Sequence, residues 1–533
     1  MKNKKVLIII SLIVCILLLG GITTYLLLNN TSYSLLSLSN SKASTDKSGI
    51  DWSKYNVYDV KLGSGNVNIT KAGVYNLTGT LKSGSIIVST NDNVKIVLNG
   101  VTIKSNNSPA INIKKAKNTY IELINKSKIT STTSDSLDAA IYSKDDLYIY
   151  GEGSIEITSN KDGISSKDDL YILSGTYIIN SSNDGIKGKD SITINKGNFT
   201  ITAGQDGIKT TNEEKKGEIL IEDGTFKIIS SLDGISASST LTINNGTFTI
   251  EAGTKKSDTS QTGLKAIKEV ILNNGTYSIT SIDDGVHSNG NVVINNGKYT
   301  ISSNDDGIHA DSTVTIKGGD LIISKSYEGI EGYKINLEGG NININASDDG
   351  INIGGGNDSS GTGNGMQDGF DQDNGGLLTI SGGIIYVNAT GDGLDSNGSI
   401  KMTGGEVHVD GPTNNGNGPL DYNGTFAITG GELIAVGSSG MVQNVSTSST
   451  QNTVLVNLSS STTGDISLGN ITYSPSKSYQ SILISSSSLE TNKEYTLKAG
   501  STSQSVTLTS TVTGSSSQGM GGGMGPGQRG GMR

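Results

Sequence analysis

Aspartate followed by glycine and an aliphatic residue recurs through the middle of this chain, and closely spaced carboxylates are groups that bind hard cations. The repeated triplets begin at Asp162, Asp184, Asp206, Asp233, Asp284, Asp306, Asp349 and Asp392. Three of them carry a second acid directly before the triplet, namely Asp283, Asp305 and Asp348. Most copies lie 22 residues apart, and Thr262 and Glu328 replace the aspartate in two copies.

An Asp-Gly pair is a favoured turn whose side chain bonds to nearby backbone, which explains any single copy without a metal. If the repeats stack as strands, their equivalent residues lie about 4.8 Å apart. A column of ionised aspartates at that spacing repels itself. Ca²⁺ accepts several carboxylates in flexible geometry, so the sequence predicts that these aspartates, including the three doubled acids, bind Ca²⁺.

The residue after each triplet is predicted to point outward. This position holds Ser165, Lys187, Lys209, Ser236, Lys265, His287, His309, Glu331, Asn352 and Asp395. One interpretation is a solvated face on which lysines neutralise the aspartates. The other is a groove that binds a polyanion through basic side chains and bridging Ca²⁺. The residues predicted to bind such a ligand are Lys187, Lys209, Lys265, His287 and His309. Two histidines without a third ligand give weak support for a transition metal.

Short strands must position these residues. Within one repeat, Ile192–Ile194 and Asn198–Ile201 alternate apolar with polar residues, and neither is long enough for a helix. Glycines at fixed positions are expected to supply positive backbone angles at the corners. Three strands per short, fixed period predict an all-β fold, a parallel β-helix of about 22 residues per coil. An aromatic column is predicted to stack in its core, and comprises Tyr177, Phe199, Phe226, Phe248, Tyr277 and Tyr299.

Composition excludes several classes of function. The net charge of −10 argues against a nucleic-acid partner, which selects basic surfaces. A single cysteine excludes a disulfide framework or a cysteine-based zinc site within one chain. Few charged residues and 72 glycines among 533 residues are typical of a turn-rich, extracellular all-β protein.

The ends of the chain differ from its middle. Basic residues precede an apolar run that ends at Leu28 and is long enough to span a bilayer, so residues 1–28 are predicted to be an uncleaved membrane anchor. The remainder is then exported, or secreted if the segment is removed. The predicted divisions that follow are a Ser-rich tether at 29–50, irregular first coils at 51–134, regular coils at 135–441, a β cap at 442–512 and a disordered tail at 513–533.

A long insertion, Gly354–Gly376, interrupts the regular coils. It contains Asp368, Asp371 and Asp373, and it lacks the glutamate that would complete an EF-hand loop. Two interpretations stay open at this point. The insertion closes over a metal or ligand, or it is a disordered glycine-rich excursion.

The stretches Ala72–Gly79 and Ile96–Ile103, the Asp-Gly-Ile coils and the cap around Ser481–Gly500 resemble bacterial carbohydrate-binding-domain proteins. That family consists of right-handed parallel β-helices related to calcium-dependent pectate lyases. The resemblance implies calcium on the helix and binding of acidic polysaccharide such as polygalacturonate, or of cellulose-like glucan. It also implies that the Asp-Gly acids hold calcium while the adjacent Lys and His face the sugar. Thr262 and Glu328 put metal at their two coils in doubt.

Three functions are consistent with the sequence. The first is a cell-surface protein that binds acidic polysaccharide with the help of Ca²⁺, with no catalytic residue assigned. The second is a pectate-lyase-like eliminase, in which Lys187, Lys209 or Lys265 would be the base that removes a proton next to a uronate carboxyl. The third is a structural adhesin or spacer that calcium only stiffens.

Overall fold

The computed structural model describes residues 49–133, 137–214, 216–253, 259–354 and 375–517. The predicted anchor, most of the tether, the interior of the Asp-rich insertion and most of the tail lie outside these residues. Within the described ranges, no helix has the length and apolar character needed to cross a membrane. The β-structure belongs to the second of two units, Met1–Ile50 and Asp51–Arg533.

The regular coils contain three series of strands, one strand of each series per coil. The first series is Ala139–Ser143, Asp162–Ser166, Ile186–Gly188, Ile208–Thr210, Ile235–Ala237, Leu264–Ala266, Val286–Ser288, Ile308–Ile316, Ile330–Leu337, Ile351–Ile353, Leu394–Ser396 and Leu420–Tyr422. The second series is Leu147–Gly151, Asp169–Ile172, Ser191–Ile194, Glu218–Ile221, Thr240–Ile243, Glu269–Leu272, Asn291–Ile294, the ends of Ile308–Ile316 and Ile330–Leu337, Leu377–Ile380, Ser399–Met402 and Phe426–Ile428. The third series is Ser154–Ser159, Thr176–Ser181, Asn198–Ala203, Thr225–Ser230, Thr247–Ala252, Thr276–Ser281, Lys298–Ser302, Asp320–Ser326, Asn341–Ala346, Ile384–Ala389, Glu406–Asp410 and Glu432–Gly437.

Strands of one series pair in parallel from coil to coil. Lys187 aligns with Lys209 in the first series, and Phe199 aligns with Phe226 in the third. This pairing makes a long, mostly parallel sheet wound as a solenoid with three strands per coil. The prediction of an all-β chain with a long parallel sheet is therefore confirmed, while the right-handed sense stays a prediction of the resemblance.

Alternate residues of each strand fill a continuous apolar core along the solenoid. The predicted aromatic column lies in this core, with ring centroids 4.6–4.9 Å apart and planes within 6° of parallel. Stacking on this scale follows directly from the spacing of paired strands. The prediction of core stacking for these six residues is confirmed.

Two columns of glycine serve different purposes. Gly275 and Gly297, before the third-series strands, have φ values of 127° and 126°, as the sequence predicts for corner glycines. The glycines of the Asp-Gly triplets do not have positive φ values. A Cβ atom on Gly207 would lie 2.4 Å from Ile228 Cγ2 and 2.5 Å from the carbonyl oxygen of Gly234. These glycines are needed because neighbouring coils approach too closely for any side chain.

Irregular coils precede the regular ones. Their strands are Val57–Leu62, Val67–Ile69, Gly73–Leu81, Ile86–Ser89, Val94–Asn99, Thr102–Asn106, Ile111–Lys115, Thr119–Ile124 and Lys126–Thr132. A short 3₁₀ helix, Trp52–Lys54, comes before them. Its Trp52 is buried, and the indole packs edge-on against Tyr120 with ring centroids 5.4 Å apart.

The C-terminal strands pair mostly antiparallel and end the solenoid, and only Val512–Thr513 among those described pairs in parallel, with Thr453–Thr462. They are Thr453–Thr462, Ile466–Leu468, Ile471–Tyr473, Tyr479–Ser485, Glu494–Ala499, Thr502–Thr507 and Val512–Thr513. Tyr479–Ser485 pairs antiparallel with the last third-series strand, and these strands enclose a second apolar cluster. The fully buried carboxylate of Asp410 accepts hydrogen bonds from the hydroxyls of Tyr386 and Tyr473, each 2.7 Å long, which ties the cap to the coils.

Substituting Gly207 by alanine tests the close approach at the Asp-Gly turn. We expect Gly207→Ala to lower the free energy of unfolding by about 1–3 kcal/mol, because the added methyl group overpacks a site that cannot expand. Gly63→Ala is the matched control, since a Cβ atom there meets nothing within 4 Å. Chemical denaturation of both variants measures the difference. Equal stability of the two variants would contradict the close-packing explanation.

Candidate functional site

The repeated aspartates form a ladder of hydrogen bonds along the solenoid. The backbone N–H of Asp184 donates to Asp162 Oδ1 at 3.1 Å, and that of Asp306 donates to Asp284 Oδ1 at 3.0 Å. The same bond joins Asp206 N to Asp184 Oδ1, Asp233 N to Asp206 Oδ1, Thr262 N to Asp233 Oδ1, Glu328 N to Asp306 Oδ1 and Asp392 N to Asp349 Oδ1. One oxygen of each ladder aspartate therefore satisfies a backbone donor that the turn leaves without a sheet partner.

The ladder carboxylates are buried rather than displayed on a solvated face. The buried members are Asp162, Asp184, Asp206, Asp233, Asp284 and Asp306, and the replacement Glu328 is buried with them. Asp349 and Asp392 are partly buried, as are the doubled acids Asp283, Asp305 and Asp348. Burial disfavours the ionised form, so each carboxylate needs a nearby cation or proton.

Lysines supply that positive charge in the first coils. Lys187 Nζ lies 2.7 Å from Asp184 Oδ2 and 3.4 Å from Asp162 Oδ2, and its side chain is only 20% exposed. Lys209 pairs with Asp206 in the same way. Burial opposes the charge of both lysines, but the neighbouring aspartates raise their pKa values. Lysines therefore neutralise aspartates at these coils, but the groups are buried and do not form the solvated face of the first interpretation.

Lys265 is connected to its coil differently, because Thr262 replaces the aspartate there. Its Nζ donates to Ser260 Oγ at 2.7 Å, and that hydroxyl donates to Asp233 Oδ1 at 2.7 Å. The serine thus connects Lys265 to the carboxylate of Asp233 in the preceding coil.

Histidines occupy the equivalent position in the next two coils. His287 Nδ1 lies 2.7 Å from Asp284 Oδ2, and the rings of His287 and His309 stack with centroids 4.9 Å apart. The prediction that these two residues point to solvent is wrong, since they are 3% and 0% exposed. The preceding aspartate and the adjacent coils cover both rings, so neither presents a surface to a sugar chain.

In the described coils after His309, this column position holds no basic residue. Glu331, Asn352, Asp395 and Asp421 continue the column after His309, in register from coil to coil. Within the described ranges, no ion pair joins Asp349, Asp392 or Asp395 to a lysine, arginine or histidine. Burial, reinforced by neighbouring acids, raises the pKa of Asp349 to about 8. Burial likewise raises the pKa of Asp392 to about 7.

Two groups of carboxylates in the later half of the solenoid point at common positions. A Cβ atom built on Gly391 would lie 2.3 Å from Asp349 Oδ1 and 2.5 Å from Asp348 Oδ1, so both oxygens face one point. In the second group, carboxylate oxygens of Asp283, Asp284 and Asp305 lie within 4.8 Å of one another. All-oxygen sets of this kind fit the preference of Ca²⁺ for carboxylate ligands. Asp368, Asp371 and Asp373 of the insertion lie outside the described residues.

A polar surface groove was missed by the sequence reasoning. It follows the column of positive-φ glycines and has two segments of about 460 and 510 Å³. Asn274 and Asn296 line it, and no other described residue bonds to their side-chain amides. The signal was the triplet Asn-Asn-Gly in successive coils, whose first asparagines are joined side chain to side chain, as in Asn295 to Asn273 at 2.6 Å.

Part of this chain is similar in sequence to known proteins. Residues 63–307 match the family model of carbohydrate-binding domain-containing proteins. This region is similar to a carbohydrate-binding family. A carbohydrate-binding domain-containing protein of Acetivibrio thermocellus is 31% identical over 137 residues, covering 23% of this chain and 48% of that protein. The chain therefore matches about half the length of that relative.

A solved structure also matches part of the chain. It is the polysaccharide lyase-like protein from C. thermocellum, in a gadolinium derivative. The identity is 36%, the match covers 35% of this chain and 81% of that chain, and the TM-score is 0.33.

Removing the charge of Lys187 tests the buried ion pairs. Lys187→Met leaves two buried carboxylates without their cation, so we expect a loss of about 3 kcal/mol in the free energy of unfolding at pH 8. The loss should be smaller at pH 5, because burial raises the pKa of Asp162 to about 7 and its carboxyl is then protonated. Lys196→Met, at an exposed lysine, is the control. The same loss at both pH values would contradict the electrostatic explanation.

The raised pKa of Asp349 predicts how stability depends on pH in the presence of chelator. Between its unfolded value near 3.8 and its folded value of about 8, the folded protein binds more protons, so stability falls as the pH rises through this window. Asp349→Asn should reduce the slope by up to about 1.4 kcal/mol per pH unit. Melting temperatures from pH 5 to 8 measure it, with the exposed Asp320→Asn as control. An unchanged slope in Asp349→Asn would refute the assignment.

Proposed function

We propose that this chain is a binding protein for acidic polysaccharide that uses Ca²⁺ to hold its ligand. The observation that carries the proposal is the run of acids in the later coils, Asp349, Asp392 and Asp395, which have no basic partner among the described residues. The similarity of residues 63–307 to carbohydrate-binding proteins supports carbohydrate as the ligand class. Binding of Ca²⁺ and recognition of an acidic polymer are proposed from the carboxylates rather than from that similarity.

Two sets of carboxylate oxygens would hold Ca²⁺. Asp348, Asp349 and Asp392 supply one set, and Asp283, Asp284 and Asp305 supply another. Ca²⁺ bound there would neutralise the carboxylates and bridge them to the carboxylates of a uronate polymer. The ladder aspartates that already pair with lysine, such as Asp184 and Asp206, are less suited to this role than the sequence predicted.

An extended polymer also needs a long binding surface. A solenoid provides one, because equivalent residues repeat about every 4.8 Å along its axis. The polar groove beside the glycine column follows this axis, and its asparagine and threonine side chains offer donors and acceptors for sugar hydroxyls. Cell-surface attachment through residues 1–28 is part of the same proposal.

The eliminase alternative requires a lysine that readily gives up its proton. Lys187 and Lys209 have raised pKa values because each is held by buried aspartates, so both stay protonated at neutral pH. A protonated, ion-paired lysine is a poor general base. This observation favours binding over cleavage at these two lysines.

Mixing the purified chain with polygalacturonate in calcium or in chelator tests the proposal. We expect co-sedimentation in calcium, loss of co-sedimentation in chelator, and no rise in the ultraviolet absorbance of unsaturated sugar ends. The double variant Asp349→Asn/Asp392→Asn should weaken calcium-dependent binding by at least about tenfold, since it removes charged ligands of a hard cation. Asp59→Asn, at an exposed aspartate in the first strand, is the control.

Other outcomes would replace the proposal with one of its rivals. Rising absorbance would identify an eliminase. Calcium-dependent melting without any glycan binding would favour the structural spacer. Binding that is identical in calcium and chelator would refute the role of the metal.

A further inference from the structure

Three side chains from two neighbouring coils meet at a buried point beside the ladder. His309 Nδ1 lies 3.1 Å from Asp306 Oδ2 and 2.7 Å from Glu331 Oε2. His309, Asp306 and Glu331 are 0%, 1% and 3% exposed respectively. Glu331 follows His309 in register on the next coil, so the backbone pairing fixes their approach.

One of these contacts is not a hydrogen bond. Glu331 Oε2 is a buried oxygen without any hydrogen-bond donor, although His309 Nδ1 is only 2.7 Å away. A buried carboxylate oxygen without a partner is costly and rare in folded proteins. Two ligand atoms that lie this close without a hydrogen bond between them are expected where both face a position that a metal ion can occupy.

The surrounding residues hold the three groups in place. Asp306 Oδ1 is occupied by the backbone N–H of Glu328 at 3.2 Å, which leaves Oδ2 for the cluster. On the far side of the imidazole, His309 Nε2 lies 3.2 Å from Asp311 Oδ1. A carboxylate at that nitrogen holds its proton there, so Nδ1, which bonds to Asp306 Oδ2 in the metal-free form, would offer its lone pair to a metal that displaces the Nδ1 proton, as in histidines that bind metals.

We propose that Asp306, His309 and Glu331 bind a divalent transition-metal ion such as Zn²⁺. Two carboxylates and an imidazole form a mixed nitrogen and oxygen set, which suits first-row transition metals better than the all-oxygen preference of Ca²⁺. Ligands about 2.0–2.2 Å from a tetrahedral zinc ion lie about 3.3–3.6 Å from one another, so the contacts of 3.1 and 2.7 Å made by His309 Nδ1 would lengthen slightly when the ion binds. The site shares no ligand with the calcium-binding sets, although Asp284 of one set has a carboxylate oxygen within 4.8 Å of His309, and it does not depend on the proposed function.

The competing explanation is that His309 is only a protonated counter-ion for its acidic neighbours, as Lys187 is. Burial opposes the charge, but Asp306, Asp311 and Glu331 raise the pKa of His309. The two explanations differ over Glu331. If His309 is only a counter-ion, the negative charge of Glu331 stabilises the fold with or without metal. If Glu331 is a metal ligand, its unpaired charge destabilises the fold once the metal is removed.

Zinc titration of the chelator-stripped, desalted chain by calorimetry, in buffer with excess Ca²⁺, tests the site. We expect tight binding of Zn²⁺ that Ca²⁺ does not displace, and a visible absorption band when Co²⁺ replaces Zn²⁺. Asp311→Asn should weaken zinc binding by about 10–100-fold, because it removes the carboxylate that orients the imidazole. Asp349→Asn, in the proposed calcium set, should leave zinc binding unchanged.

Glu331→Gln separates the two explanations. In chelator this variant should melt at the same temperature as the wild type or higher, since it removes an unpaired buried charge, and zinc should no longer raise its melting temperature. A lower melting temperature in chelator, with zinc binding retained, would overturn the proposal in favour of the counter-ion. Absence of zinc binding by the wild type, or displacement of zinc by Ca²⁺, would also overturn it.

Discussion

Every residue of a coil lies about 4.8 Å from its equivalents above and below, and the whole structure depends on what each side chain does with that neighbour. Apolar and aromatic columns benefit, as the stacked rings from Tyr177 to Tyr299 demonstrate. Asparagine columns also benefit, because an amide donates on one side and accepts on the other. An aspartate column has only acceptors, so it persists only where something else provides the donors and the positive charge.

This solenoid provides them from two directions. Backbone N–H groups at the turn donate to one carboxylate oxygen, and the residue three positions later lies beside the other. That second neighbour changes along the axis, from Lys187 to His309 and then to Asp395. Lysines therefore neutralise the ladder aspartates at one end of the regular coils, whereas at the other end the described ladder acids have no basic partner. The acids without a basic partner are the ones to which we assign ligand binding.

The period predicted the coils, and strand alternation predicted the buried aromatics, because both depend only on backbone geometry. The same alternation predicted that His309 lies on the face opposite the core and points to solvent, yet its ring is buried. Exposure there is decided by whether the aspartate three residues earlier folds over the side chain, which is a matter of rotamers and ion pairing. The role of the glycine in each triplet could not be predicted for a similar reason. A single sequence shows that glycine recurs, but not whether a backbone angle or a neighbouring carbonyl requires it.

The proposed metal sites follow from the same dependence on neighbouring coils. Glu331 differs from His309 and from Asn352, so no repeated motif marks it, and only the register between coils brings it to the imidazole. A lysine at this position makes a bound cation unnecessary, whereas in our proposals a histidine beside acids favours a mixed-ligand metal and an acid favours a hard cation. A substitution at one position of a repeat therefore changes the ion that the coil needs while leaving the backbone ladder intact. Repetition gives this fold its stability, and departures from repetition give it chemically distinct sites.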